Sequence, residues 1–185
     1  MKIAVIGAGA MGSLFGALLA EGGHEVWLCD IWQDHIKALK QNGLKIEWEG
    51  KTRSVRLNAT GDPQQIGESE LVLIFVKATQ TEAAAQTAAR LAGSRGLVMT
   101  LQNGMGNAET IAQFISADRI LVGTTSHGST MLKAGSIRHA GAGPTTVGMW
   151  ATDEKEFENV RQIADQFTHA GIENTAINEV RPVIW

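Results

Sequence analysis

Gly7, Gly9 and Gly12 stand at the spacing G-x-G-x-x-G within Gly7-Ala8-Gly9-Ala10-Met11-Gly12, and the chemistry open to them is capture of a phosphate by main-chain nitrogens. In such a loop the first glycine permits a tight turn and the second lets the backbone approach a diphosphate. The third lets helix and strand pack closely. The unpaired amides and the positive end of the following helix then face the anion. Eighteen residues after Gly12 comes Asp30, at the end of the next apolar run. A carboxylate there accepts the ribose hydroxyls of NAD and repels the 2′-phosphate of NADP. Asp30-x-x-Gln33 also reads as an N-cap and capping box, and the two roles can coexist. No arginine lies between Asp30 and Gln41, so a 2′-phosphate would have only His35, Lys37 and Lys40 nearby. NADH is therefore the expected cofactor over NADPH.

Further candidates follow other apolar runs. Lys77 ends LVLIFVK and would carry its ammonium toward the crevice outside the strand ends, or else begins a solvated loop. Asn103, in LQNGMG, either reaches that crevice or simply takes a left-handed turn ahead of glycine. The hydroxyls of GTTSHGST, residues 123–130, are placed to meet a ribose or nicotinamide. His127 and His139 have no carboxylate or cysteine close in sequence and read as structural. Cys29 is the sole cysteine, which excludes an internal disulfide and reads as packing material in a reducing, cytoplasmic setting. No Cys/His spacing of the zinc type occurs.

The elements that must position these residues follow from periodicity. Residues 3–20 form an eighteen-residue run without charge, long enough in principle for a membrane span or a signal segment. Its glycines dilute the apolarity, Lys2 is a thin basic flank, and its period changes partway. A strand at 2–6, a glycine turn and a helix at 11–21 is the better parse. A strand at 25–29 and a helix at 32–41 follow, with Trp32, Ile36 and Leu39 on its apolar face and Asn42-Gly43 as its stop. Residues 44–59 alternate as an inserted hairpin. LVLIFV suits a strand covered on both faces. Thr79-x-x-Glu82 reads as a capping box before a helix that buries Ala84, Ala88 and Leu91. A strand at 97–101, a short helix at 108–114, a strand from 120 and two short strands within 137–149 come next. Asp153-x-x-Glu156 then caps a helix that turns Phe157, Val160, Ala164 and Phe167 inward and stops at Gly171. Alternating strands and helices imply an α/β, doubly wound, mostly parallel sheet. Sixteen basic and nineteen acidic residues leave a charge of −3, no footprint for nucleic acid or an anionic membrane.

IGAGAMGSLFG, LVLIFVKATQT, LQNGMGN, VGTTSHGST and EVRPVIW, in this order over nearly the whole chain, resemble ketopantoate reductase. The resemblance implies a Rossmann-type domain followed by a helical C-terminal domain, and reduction of 2-dehydropantoate to pantoate by NADPH or NADH on the route to coenzyme A. It gives Lys77 and Asn103 roles in holding the cofactor and arranging the carbonyl, and Ser129 a further cofactor contact. Asp30 stands where well-known NADPH-using members carry arginine.

Val180, Ile184 and Ala176 are spaced for one helix face, with Pro182 in a first turn. This divides the chain into a dinucleotide-binding domain, 1–175, and the start of a helix, 176–185, that leads into a domain not contained here. The family's general-acid lysine is expected beyond Trp185, so the 185 residues are expected to bind dinucleotide yet be inactive alone. A small 2-oxo acid is the expected substrate, with a homodimer possible for the longer protein. The competing readings are a related 2-oxo acid or imine reductase, and a non-catalytic module that senses redox state.

Overall fold

The computed structural model describes residues 1–151 and 157–184. Asp153, Glu156 and Trp185, named above, lie outside them. The main sheet has eight strands in the order β12-β11-β8-β7-β6-β1-β2-β5. Five central neighbours, β1 (Lys2–Ile6), β2 (Glu25–Cys29), β6 (Leu71–Ile74), β7 (Leu97–Thr100) and β8 (Ile120–Thr125), run parallel, as does the edge strand β5 (Asn58–Thr60). On the other side β11 (Thr145–Met149) pairs antiparallel with β8, and β12 (Asn174–Ile177) lies parallel to β11. The chain proceeds outward from β1 to β2 and β5, then returns to lay β6 on the opposite side of β1. That reversal opens a crevice at the carboxyl ends of β1 and β6.

Strand side chains alternate between two cores, the period-2 consequence of the pleat. Ile3, Val5, Leu71, Leu73, Met99 and Leu121 enter one, with α1 (Ala10–Glu21), α2 (Gln33–Asn42) and α5 (Phe157–His169). Ala4, Ile6, Val72, Ile74, Val98 and Ile120 enter the other, with α3 (Thr81–Ala92) and α4 (Asn107–Ile111). Both faces are covered, which explains the unbroken apolarity of LVLI.

The hairpin expected at 44–59 is half of a larger unit. β3 (Leu44–Trp48) and β4 (Lys51–Val55) pair antiparallel, and β10 (Ser136–Gly141) joins β3 in parallel, with β9 (Gly128–Lys133) beyond it. The resulting second sheet, β4-β3-β10-β9, packs on the outer side of α1. Leu44, Ile46, Val55 and Ile137 share a core with Leu14, Phe15 and Ala17. A helix enclosed by sheets on both sides has no face for charged residues, and this accounts for the part of the charge-free run 3–20 that lies in α1. No helix among the described residues is long and apolar enough to cross a membrane.

Four local readings need correction. Trp32 is 41 % exposed and precedes α2, whose buried residues are His35, Ile36 and Leu39. The Asp30/Gln33 capping box does not form, since α2 has Trp32 at its N-cap and no side-chain cap bond. Thr79 caps nothing: it sits in a 3-10 turn, Ala78–Gln80, that delays α3 until Thr81. Ala176 belongs to β12, so the segment assigned to a starting helix from 176 begins as a strand, and α6 spans only Arg181–Ile184.

Candidate functional site

The glycine loop occupies the turn from β1 into α1, and each glycine meets a different physical demand. Gly7 has φ +94°, and a Cβ there would lie 2.9 Å from the Phe75 carbonyl carbon and the Val76 nitrogen. A Cβ on Gly12 would run into the Gly7 carbonyl oxygen, 3.2 Å from Phe75 Cβ. Gly9, the N-cap of α1, has no atom within 4 Å of a Cβ built on it. The space before Gly9 is open, and the first amides of α1 have no acceptor within the helix. A diphosphate would fill that cradle; a methyl group on residue 9 would fill it instead. Ala8 buries its side chain, whereas Ala10 and Met11 in the first turn are half-buried.

Gly7, Gly9, Asp30, Ile31 and Lys77 line one cleft of about 410 Å³ together with Ala83 and Thr87 of α3. Asp30 Oδ2 accepts the Ala8 N–H at 2.7 Å, and Oδ1 accepts the Trp32 N–H at 2.9 Å. The carboxylate thus seats the glycine loop and keeps its remaining lone pairs for other donors. Beside it Ile31, 82 % exposed, forms an apolar rim. Cys29 also lines the cleft; burial, with Asp30 and then Asp62 adding repulsion, pushes its thiol up to about 11. It is a neutral thiol at pH 7 and adds no negative charge where a diphosphate would lie. Lys77 is exposed and follows β6 at the start of the 3-10 turn.

Asn103 stands apart from that cleft and lines a smaller pocket of about 110 Å³ with Thr100, Gln102, Thr124 and Trp150. It does not take the left-handed turn: Gly104 and Gly106 carry the positive φ values, 95° and 86°. The Asn103 and Lys77 loops are nevertheless joined. Gln102 Nε2 donates to the Val76 carbonyl at 2.6 Å and approaches Thr81 Oγ1 at 3.1 Å, and Thr81 donates to Asn107 Oδ1 at 2.9 Å. Asn107 Nδ2 donates back to the Asn103 carbonyl at 3.2 Å. Sequence reasoning passed over Gln102, Thr81 and Asn107; a run of amides and hydroxyls at two neighbouring strand ends was the only available signal.

Ser129 lies on β9 of the second sheet, its Oγ 3.4 Å from the Arg138 carbonyl, and lines neither the cleft nor the Asn103 pocket. His35 is fully buried and bonded to Ser13 and Gly135, so of the three cations considered for a 2′-phosphate only Lys37 and Lys40 are exposed. His127 and His139 are buried and face each other, Nδ1 to Nε2, at 3.1 Å, with Trp48 stacked on His139.

A glycine loop at the switch point of a doubly wound sheet, with a carboxylate after β2, defines the class of dinucleotide-binding α/β proteins. Residues 3–152 match the family described as ketopantoate reductase PanE/ApbA, and the chain belongs to that family. The 2-dehydropantoate 2-reductase of Halobacterium salinarum is 36% identical over 188 residues, covering 100% of this chain and 60% of the relative. That of Pyrococcus abyssi is 33% identical, with 100% and 59% covered. The chain thus spans about 60% of the length of these relatives. Among solved structures, 2-dehydropantoate 2-reductase from Geobacter metallireducens superposes with a TM-score of 0.92 at 27% identity, covering 100% of this chain and 60% of that one. D-mandelate dehydrogenase in its ternary structure with NADH and anilino(oxo)acetate gives 0.90 at 29%, with 100% and 59% covered.

Proposed function

We propose that the chain is the dinucleotide-holding part of an enzyme that reduces 2-dehydropantoate to pantoate with a nicotinamide cofactor, NADH in preference to NADPH. The observation that carries the reading is the open cradle at Gly9, set in one cleft with Asp30 and Lys77. Family membership supports this choice of substrate. When bound, the nicotinamide supplies the hydride. The loop from Gly7 to Gly12 holds the diphosphate, Asp30 accepts ribose hydroxyls, and Lys77 offsets phosphate charge. Asn103, whose main-chain carbonyl accepts from Asn107 Nδ2, presents an amide to orient and polarise the keto oxygen. Ser129 is kept as a further cofactor contact on the strength of the resemblance alone.

One observation favours a second substrate class. The likeness to D-mandelate dehydrogenase, solved with NADH and anilino(oxo)acetate, supports 2-oxo acids with bulkier substituents. Fluorescence titration with NADH and NADPH tests the cofactor reading, and a protein that binds neither would sink it. Adding ketopantoate or a phenyl-substituted 2-oxo acid to the NADH complex separates the substrates by which one tightens it. Ketopantoate-dependent NADH oxidation by the 185 residues alone is expected to be negligible, since the resemblance puts the proton-donating lysine outside them.

A further inference from the structure

We propose that Ser13 and His35 form a positioning relay through which the second sheet holds the Ala8–Gly9 peptide in the orientation that presents an amide to the diphosphate. The inference rests on the dinucleotide reading above and extends it to two residues that touch no ligand. Ser13 and His35 are both fully buried, in the otherwise apolar layer around α1 and α2. Ser13 Oγ lies 2.9 Å from the Ala8 carbonyl and 3.2 Å from His35 Nε2. A carbonyl can only accept, so the hydroxyl donates to Ala8 and must accept from Nε2–H. At the far side of the ring the Gly135 N–H donates to Nδ1 at 2.9 Å. Both ends therefore call for the same neutral tautomer, with its hydrogen on Nε2 and Nδ1 bare.

Gly135 sits between β9 and β10 with φ +73°, in contact with Ala38 of α2, and its carbonyl accepts the Lys45 N–H of β3 at 2.9 Å. The bonds run without a gap from β3 through Gly135, His35 and Ser13 to Ala8. Trp32 stacks on His35 at 5.2 Å and 14°. The consequence for the site follows from peptide planarity. In a trans unit C=O and N–H point in opposite directions. Drawing the Ala8 carbonyl inward to Ser13 turns the Gly9 N–H outward, and Gly9 lines the cleft. From the other side Asp30 holds the Ala8 N–H, so both flanks of the turn are set before a ligand arrives.

The test is titration of the protein with NADH, ADP and adenosine, for wild type, Ser13→Ala, His35→Asn and His35→Gln. Gln preserves a donor at the Nε2 position, whereas Asn is too short to reach Ser13. Ser13→Ala and His35→Asn are expected to weaken NADH and ADP about tenfold with adenosine unchanged, and His35→Gln to return ADP affinity to within about twofold of wild type. Equal losses for ADP and adenosine, or lower melting temperatures with unchanged ADP affinity, would mean a structural role only and overturn the relay. A wild type that binds neither NADH nor ADP overturns the dinucleotide reading, and the relay with it. Imidazole ¹⁵N shifts of the wild type need no variant. A hydrogen on Nε2 and a shift on adding ADP are expected, and a hydrogen on Nδ1 refutes the relay.

Discussion

Alanine at Gly9 and alanine at Gly12 differ by one methyl group each, three residues apart, and the structure demands opposite outcomes. Gly9 has φ −64°, a value any residue adopts, and nothing within 4 Å of the added carbon. Loss of glycine at an N-cap costs up to about 1 kcal/mol, and the reduced entropy of the unfolded chain returns about 0.4–1 kcal/mol. Stability should therefore be nearly unchanged. The methyl group occupies the cradle, so at least one charge-assisted amide bond to phosphate is lost, worth about 1.5–3 kcal/mol. That is a drop of about 10–100-fold in dinucleotide affinity. At Gly12 the added carbon meets backbone, the Gly7 carbonyl, which cannot swing aside as a flexible side chain would. Overpacking toward the upper end of about 1–3 kcal/mol, less about 1 kcal/mol of helix propensity, leaves about 2 kcal/mol of destabilisation. At about 2–4 °C per kcal/mol for a chain of this size, the melting temperature should fall by roughly 4–8 °C. Differential scanning fluorimetry and NADH fluorescence titration on the same two proteins decide the matter. A Gly9→Ala protein that binds as tightly as wild type removes the diphosphate from Gly9, and a Gly12→Ala protein of unchanged stability refutes the close approach.

Phe15 is fully buried with its ring centroid 5.2 Å from Phe75 and 6.2 Å from Phe167. Phe15→Ala should cost about 3–5 kcal/mol, measured as a shift in the urea midpoint at constant slope; a cost under about 1 kcal/mol would mean that α1 is not enclosed as described. Asp30→Ala removes both the acceptor for Ala8 and the carboxylate proposed to discriminate between cofactors, so NADH affinity should fall and the proposed lead over NADPH should narrow. Isothermal calorimetry with both cofactors reads this, and an unchanged ratio counts against Asp30 as the discriminator. Burial holds His35, His127 and His139 below the ordinary histidine range, with His127 adding repulsion at His139. Between the lowered folded values and about 6.5 the unfolded chain binds more protons, so stability rises with pH across that window. Melting temperature should be flat above about pH 7 and decline as pH falls below about 6.5; a flat profile down to pH 5 would refute the neutral, buried assignment.

The parts of the fold legible in the sequence were those whose cause is local. β1 and β2 carry their full apolar runs at the expected bounds, Lys2–Ile6 and Glu25–Cys29, and the glycine loop was readable because each glycine answers a backbone requirement. What failed was local pattern overruled by a neighbour. Thr79-x-x-Glu82 has the residues of a capping box, but the turn at Ala78–Gln80 moves the helix start past Thr79 and leaves Glu82 in the first turn of α3. Ala176 and Val180 have helical spacing, yet pairing with β11 draws Ala176 into a strand while Val180 remains buried. The second sheet was half visible, since the alternation in β3 and β4 is local, whereas the pairing of Ile46 with Ile137 spans the chain. The site divides in the same way. Asp30 and Lys77 follow from their place after strands, while Gln102, Thr81 and Asn107 act through bonds between loops that no spacing rule connects. Ser13 did leave a trace, as the one polar side chain among residues 3–20.

Charge in the cleft gives these parts a common logic. Among the described residues that line it, Asp30 and Lys77 are the charged ones, and the Cys29 thiol, pushed up to about 11, contributes none. Asp30 sits at the positive end of α1 and accepts the Ala8 N–H, so it already offsets part of the roughly +0.5 charge of the helix end. A diphosphate would therefore share that helix end with a carboxylate, and Lys77, the cation lining the cleft, would offset the added charge. The same carboxylate has two oxygens, each with one N–H bond made, and its unused lone pairs match a ribose diol, which brings two donors and no charge. A 2′-phosphate brings acceptors only and up to two negative charges beside the Asp30 carboxylate. On the proposed reading, the residue that seats the glycine loop is also the one that disfavours NADPH, so a substitution at Asp30 that relaxes the preference is expected to loosen the loop as well.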